Sequence, residues 1–342
     1  MIKSLELKNF TIFSHLKIDF SPKINIIIGE NGTGKTHLLK AAYALSSGGK
    51  LFQLNSDVEE SKWPEFLTDR LIRIFRPLEN KLGKLHHKGS QERAELALEF
   101  EAGQFLKIHF HNNSQSLVIQ DTTHYDEYNK LPTFITTKEV ISFIDGFISS
   151  YDRRELSFDE TYKDICQSIE LKSIRPESLH EKSKWAMEEI KKICEGSFSF
   201  NGSRATFKTM AGEEYSTNII AEGFRKLGML SRLIETGEIR PGISGPLFWD
   251  EPEGNMNPKL MKLLVKILLE LSRNGQQIIL ATHDYVFLKW FDLLGDRSQG
   301  DEIRYHTLYR DEKNYPSILL NSTEDYLLIE PNPIDEAFDA LI

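Results

Sequence analysis

The chain has 342 residues, 40% of them hydrophobic and 27% charged, and a net charge of −9. That size can bury one large core or two ordinary ones, and the composition is the ordinary one of a soluble globular protein. The acidic balance gives no bulk attraction for nucleic acid, so any phosphate contact has to be local.

The first residues, Ile2-Lys3-Ser4-Leu5-Glu6-Leu7, alternate like a strand, and residues 1–28 read as strands throughout. No targeting segment is visible and no apolar run approaches membrane-spanning length, so the expectation is a cytoplasmic protein with no membrane partner. At residues 24–36 the apolar stretch Ile24 to Ile28 runs straight into Gly29-Glu30-Asn31-Gly32-Thr33-Gly34-Lys35-Thr36. This G-x-x-x-x-G-K-T pattern, between a strand and a helix periodicity (Leu38, Leu39, Ala42, Leu45), predicts a nucleoside triphosphate cradle. Gly29 and Gly34 allow the tight turn that aims N–H groups at the β-phosphate, at a helix N-terminus. Lys35 is of the right kind to reach the β- and γ-phosphates, and the Thr36 hydroxyl to ligate Mg²⁺. ATP and Mg²⁺ are therefore the expected cofactors, with loop and helix together over residues 29–46.

Further along, Lys81 to Lys88 forms a basic run that reads either as a phosphate contact or as a solvated loop. Residues 94–120 read as antiparallel strands, and from about 138 to 195 the spacing turns helical, as in Ser183 to Cys194. Cys166 and Cys194, the two cysteines, lack a CxxC spacing, which argues against a disulfide framework or a zinc site. Phe198 to Ser203 suggests a hairpin.

Pro246-Leu247-Phe248-Trp249-Asp250-Glu251 is an apolar run ending in two carboxylates, a Walker B pattern. A buried strand beside the P-loop strand would hold Asp250 near the Mg²⁺, and Glu251, one residue on, is the candidate general base for the attacking water. Asn257-Pro258 reads as the N-cap and first residue of a helix that Asn274-Gly275 terminates. Gln277 to Thr282 is then a buried strand delivering His283 at its carboxyl end, a candidate hydrogen-bond donor to the γ-phosphate or the attacking water. The residues beyond read as strands followed by a short acidic helix.

The order of Gly29–Thr36, Asp250-Glu251-Pro252-Glu253, Asn257-Pro258 and Ala281-Thr282-His283-Asp284 resembles the ABC-type ATPase heads of the SMC, RecF and OLD proteins. More narrowly, the chain is similar to bacterial AAA family ATPases of the AAA-15/AAA-21 type, several of which serve phage defence. The segments Pro132 to Val140 and Ala221 to Gly228 strengthen that match. The resemblance implies an α/β P-loop NTPase fold: one head over residues 1–342, with a mixed sheet, an antiparallel β subdomain and a short helical lobe. Its expected parts are an N-terminal lobe (1–137), a helical lobe with the signature loop (138–240) and a C-terminal part with Walker B and the switch histidine (241–342). No sustained heptads occur in the helical region, which excludes a long coiled coil.

The resemblance also implies a signature loop that meets the γ-phosphate of a second copy in an ATP-sandwiched homodimer. Ile220-Ala221-Glu222-Gly223-Phe224 occupies its place, with Ala221 where a serine hydroxyl is usual. Arg225 and Lys226 read either as replacement phosphate donors or as surface charges. A glutamine contacting Mg²⁺ and water is expected as well, with Gln91 the first candidate and Gln53 the second. The D-x-D and glutamate constellation of a TOPRIM nuclease is not found, so any nucleic-acid cleavage is expected from another polypeptide. Three functions follow from the resemblance: a hydrolytic switch gating a separate effector such as a nuclease or toxin, a RecF-like DNA-repair ATPase that binds DNA, and a transporter motor. The unusual signature and the N-terminal pattern count against the third.

Overall fold

The computed structural model describes residues 1–54, 59–311 and 317–334. The expected acidic C-terminal helix falls largely outside these residues. In chain order the elements are β1 (Ile2–Phe10), β2 (Phe13–Asp19), β3 (Ile24–Gly29), α1 (Lys35–Leu54), α2 (Trp63–Phe75), β4 (Ala94–Phe100), β5 (Phe105–Phe110), β6 (Val118–Asp121) and β7 (Thr133–Ile135). There follow α3 (Phe147–Asp152), α4 (Glu160–Glu170), α5 (Glu181–Cys194), β8 (Gly196–Asn201), β9 (Arg204–Thr209), β10 (Glu214–Ser216) and α6 (Glu222–Thr236). The chain continues with β11 (Leu247–Asp250), α7 (Pro258–Arg273), β12 (Ile278–Thr282), α8 (Tyr285–Leu294), β13 (Ile303–Arg310) and β14 (Ile318–Thr323).

Two compact units result. The first comprises Met1–Pro132, Ile279–His283 and the described residues from Glu302 onward; the second comprises Thr133–Ile278 and Asp284–Asp301. In the first unit the strands lie in the antiparallel order β2-β1-β4-β5-β6, and their alternation points Leu5, Leu7, Leu96, Leu98, Leu106 and Ile108 inward, all fully buried. The same unit holds the mixed run β14-β13-β3-β12, in which β13 is parallel to β3 and antiparallel to β14. All six residues of β3 are buried, as expected of a strand covered on both faces. Its neighbours are β13 and β12. The strand directly beside the P-loop strand is thus the one leading to His283, which corrects the expectation that the strand ending in Asp250 takes that place.

Helix α1 runs to Leu54, well past the limit of residue 46 read from the sequence. Gly48 and Gly49 do not stop it, because the Tyr125 ring packs against them and its hydroxyl accepts a 3.1 Å hydrogen bond from the Gly49 amide. At 20 residues α1 is the longest described helix, and no described element is a long coiled coil. Among the described residues no helix is long and apolar enough to cross a membrane.

In the second unit β7 pairs in parallel with β11, Thr133 to Ile135 lying opposite Leu247 to Trp249. The order β10-β9-β8 forms a small antiparallel sheet whose β8–β9 turn falls at Asn201 to Arg204, where the hairpin was expected. Helices α3 to α6 supply the helical part. Cys166 and Cys194 are free and buried, and burial pushes both thiols up, Cys194 to about 12.

Candidate nucleotide-binding and switch residues

In the first unit the Gly29–Thr36 loop is built from backbone. A Cβ on Gly29 would lie 2.4 Å from the Leu308 carbonyl oxygen, and one on Gly34, where φ is +93°, would lie 2.6 Å from the Phe13 ring. Neither position has room for a side chain. The first turn of α1 closes with Leu38 N–H donating to the Gly34 carbonyl at 2.9 Å. Thr33 Oγ1 donates to the Glu30 carbonyl at 2.9 Å, cross-linking the loop. The Lys35 ammonium is buried inside the turn and donates to the carbonyls of Gly29 (2.7 Å) and Glu30 (3.0 Å). Thr36 is half-buried in the first helical turn, while Glu30, Asn31 and Gly32 are exposed at the crown. A tight loop feeding a helix N-terminus with one lysine inside it fits a polyphosphate.

His283, also in this unit, is exposed at the end of β12, and the next residue, Asp284, caps α8 by accepting from Phe287 N–H at 2.7 Å. Gln91 is exposed in the loop before β4, and Gln53, in the last turn of α1, donates to the Asp126 carbonyl at 2.7 Å. The basic run is pinned rather than loose: Leu85 accepts from Thr11 N–H at 2.7 Å, and His87 N–H donates to Asn9 at 2.8 Å.

The second unit gathers Asp250, Glu251 and the signature loop through side chains. Asp250 ends the fully buried β11 and is itself 5% exposed. Because β7 is parallel to β11, the chain leaves both strands at the same edge, and Thr137 Oγ1 donates to Asp250 Oδ2 at 3.1 Å. Tyr162 lies nearby; burial, reinforced by the charges of Asp159 and Asp250, pushes its phenol up to about 12. Glu251 sits in the left-handed region at φ +51°, unusual for a residue with a long side chain, and its carbonyl accepts from Lys226 Nζ at 3.1 Å.

Helix α6 starts immediately after Ala221, so Ala221, Glu222 and Gly223 do form a helix N-terminus. Gly223 packs against the Asn255 carbonyl and Leu260, in the turn that follows the acidic pair. Arg225 and Lys226 follow neither sequence reading. The Arg225 guanidinium, 13% exposed, pairs with Glu139 at 2.7 Å and donates to the carbonyls of Ile220 and Thr217. Lys226 is 1% exposed; burial lowers its pKa, while the charges of Glu253, Glu222, Glu251 and Glu139 oppose that shift. Both cations are internal struts of the unit. Asn257 accepts from Leu260 N–H at 3.0 Å and caps α7, with Pro258 at the first position.

Sequence reading alone missed Thr137 and Glu139. Their signal was present in the segment Pro132 to Val140, which carried part of the resemblance, but no partner for either residue was evident.

This P-loop, this mixed sheet and this helical lobe define an ABC-type ATPase head. Its fold is that of the SMC head domain from Thermotoga maritima (13% identity, TM-score 0.52, covering 94% of this chain and 99% of that one). An Smc head bound to the C-winged helix domain of ScpA is also similar (14% identity, TM-score 0.56, 94% and 97% covered). In sequence, 64 residues are 41% identical to the DNA replication and repair protein RecF of Bacillus mycoides, and 162 residues are 26% identical to RecF of Bacillus pumilus. Those matches span 17% and 44% of the respective RecF chains, and 19% and 36% of this one. Residues 24–289 match the family described as "AAA domain, putative AbiEii toxin, Type IV TA system", and the chain belongs to that family of ATPases.

Proposed function

We propose that the chain is an ATP-driven switch that works as a head-to-head dimer and gates a separate effector, such as a nuclease or toxin, in bacterial phage defence. In this reading ATP binds on Gly29–Thr36, Lys35 neutralises the β- and γ-phosphates, and Thr36 and Asp250 are the residues that would hold Mg²⁺. Glu251 takes the proton of the attacking water, and His283 hydrogen-bonds that water or the γ-phosphate. The Ala221–Gly223 helix N-terminus meets the nucleotide of the second copy. Magnesium supplies charge neutralisation of the phosphates.

The observation that carries the switch is the fastening of the signature helix to the acidic pair inside one unit. Arg225 grips Glu139, two residues from the Thr137 that bonds Asp250, and the adjacent Lys226 holds the Glu251 carbonyl. Whatever docks on the start of α6 therefore bears on the hydrolytic carboxylates, the differential contact that a population shift requires. Gating of a separate protein draws support from the similar Smc head that carries a bound ScpA domain. The RecF matches favour a second reading, a DNA-binding ATPase, against which the net charge of −9 weighs.

Glu251→Gln tests the first reading: binding of ATP is retained, turnover falls about thousandfold, and light scattering after gel filtration reports a dimer with ATP and Mg²⁺ but a monomer with ADP. A monomer in both nucleotides would sink the dimer switch. Salt-sensitive retention of duplex DNA by the ATP-bound variant would move the assignment to the second reading.

A further inference from the structure

β13 carries an arginine to the phosphate loop. The β13–β3 ladder ends with Leu308 opposite Gly29, where the Leu308 carbonyl presses on the first glycine of the loop. Two residues further, Arg310 is the last rung of the β13–β14 ladder, opposite Ile318. Its Nη2 lies 3.0 Å from the point where a Cβ on Gly32 would stand, and Gly32, at φ +80°, carries no side chain to separate the two. A half-buried guanidinium is thereby set at the crown of the loop by a strand whose backbone is fixed on one side by β14 and, just before, on the other by β3. Groups on rigid elements hold a binding geometry better than groups on loops.

We propose that Arg310 is a nucleotide-binding residue that contacts the terminal phosphate in cis. The inference rests on the reading of Gly29–Thr36 as the nucleotide cradle. The N–H groups of the loop and the start of α1 are suited to the inner phosphates. A Mg²⁺ ion and one lysine leave a fully ionised triphosphate net negative, and the remaining charge is concentrated on the terminal phosphate. A guanidinium offers paired donors that match two phosphate oxygens and stays charged at every relevant pH. The usual hydroxyl donor of the signature loop is Ala221 in this chain, so the terminal phosphate receives one contact fewer from a second copy. A cis arginine supplies a contact of its own and lets a single chain tell ATP from ADP before any second copy arrives.

Calorimetric titration of the full chain with Mg·AMP-PNP and with Mg·ADP tests this, comparing wild type with Arg310→Gln and Arg310→Lys. Removing a charge-assisted phosphate contact is expected to weaken AMP-PNP binding about tenfold in Arg310→Gln, with ADP changed by less than about twofold. Arg310→Lys, which keeps the charge but not the fork, should fall between. Equal weakening of both nucleotides, or no change in either, would overturn the assignment, provided the thermal midpoints of the variants match wild type. If Arg310→Gln does not fold, unchanged discrimination in Arg310→Lys overturns it instead. A wild-type chain that binds neither nucleotide overturns the cradle reading itself, an outcome visible before any variant is made.

Discussion

The phosphate loop and the acidic-pair region are held in opposite ways. The loop is a backbone object: two glycines without room for a Cβ, a helix start, and a lysine satisfied by carbonyls five and six residues away. The acidic-pair region is a side-chain object, in which Thr137 reaches Asp250 across 113 residues of sequence and Arg225 reaches Glu139 across 86. A cradle made of backbone keeps its shape when one side chain changes. A region held by one buried ion pair and single hydrogen bonds loses its support when one side chain changes.

The contrast is broken most severely by Lys35→Ala. Nucleotide affinity should fall by at least about a hundredfold, the loss of a charged contact to two phosphates, while the fold survives because the loop is shaped by its glycines; unchanged affinity in a titration would refute the P-loop assignment. Glu139→Ala attacks the other region. It leaves the Arg225 guanidinium buried without its carboxylate and should cost about 3 kcal/mol in a denaturant melt, with nucleotide affinity of the cradle held within about twofold; a loss below about 1 kcal/mol would show that the pair is not a strut.

A third measurement uses pH. His306 on β13 is buried, its Nε2 facing Asn25 Oδ1 at 3.2 Å and its Nδ1 facing Ser322 Oγ at 2.8 Å. The Asn25 oxygen also accepts from Ser21 N–H, which suits a neutral ring that donates from Nε2 and accepts at Nδ1. Burial, helped by the Arg304 charge, lowers its pKa from 6.5 to about 3. The unfolded chain therefore binds the proton more readily: this contribution is fully present above pH 6.5 and is lost as pH falls toward 3, at about 1.4 kcal/mol per unit. Between pH 6.5 and 5 the loss should be about 2 kcal/mol, and it should be absent from His306→Gln; a variant with the same acid slope as wild type would remove His306 as its source. The smallest effect expected is that of Asn257→Ala, which removes the α7 cap for about 1 kcal/mol and should leave nucleotide affinity untouched, as a shift in chemical denaturation midpoint would report.

The same division explains what could be read in advance. The cradle was legible because glycine spacing encodes a turn locally, and so were the buried runs of β3, β11 and β12 and the Asn257-Pro258 start of α7. Strand order was not, because an apolar run says that a strand is covered on both faces and nothing about which neighbour covers its edge; hence β12, not β11, lies beside β3. The roles of Arg225 and Lys226 were hidden for a related reason. A charge on the first turn of a helix reads as solvated until the partner that buries it is known, and Glu139 and the Glu251 carbonyl lie far away in sequence.

Glu251 stands at φ +51° with its carbonyl held by Lys226. Such a backbone admits a narrow alphabet. Glycine relaxes there, asparagine and aspartate settle at modest cost, and valine, isoleucine or threonine are rejected by their branched Cβ. The carboxylate at this turn can therefore be exchanged at constant shape, as for a glutamine, but not for an apolar branched residue without unfolding the turn that presents it. Versions of this head without the carboxylate are thus reachable through the amide and through glycine with the turn itself unchanged.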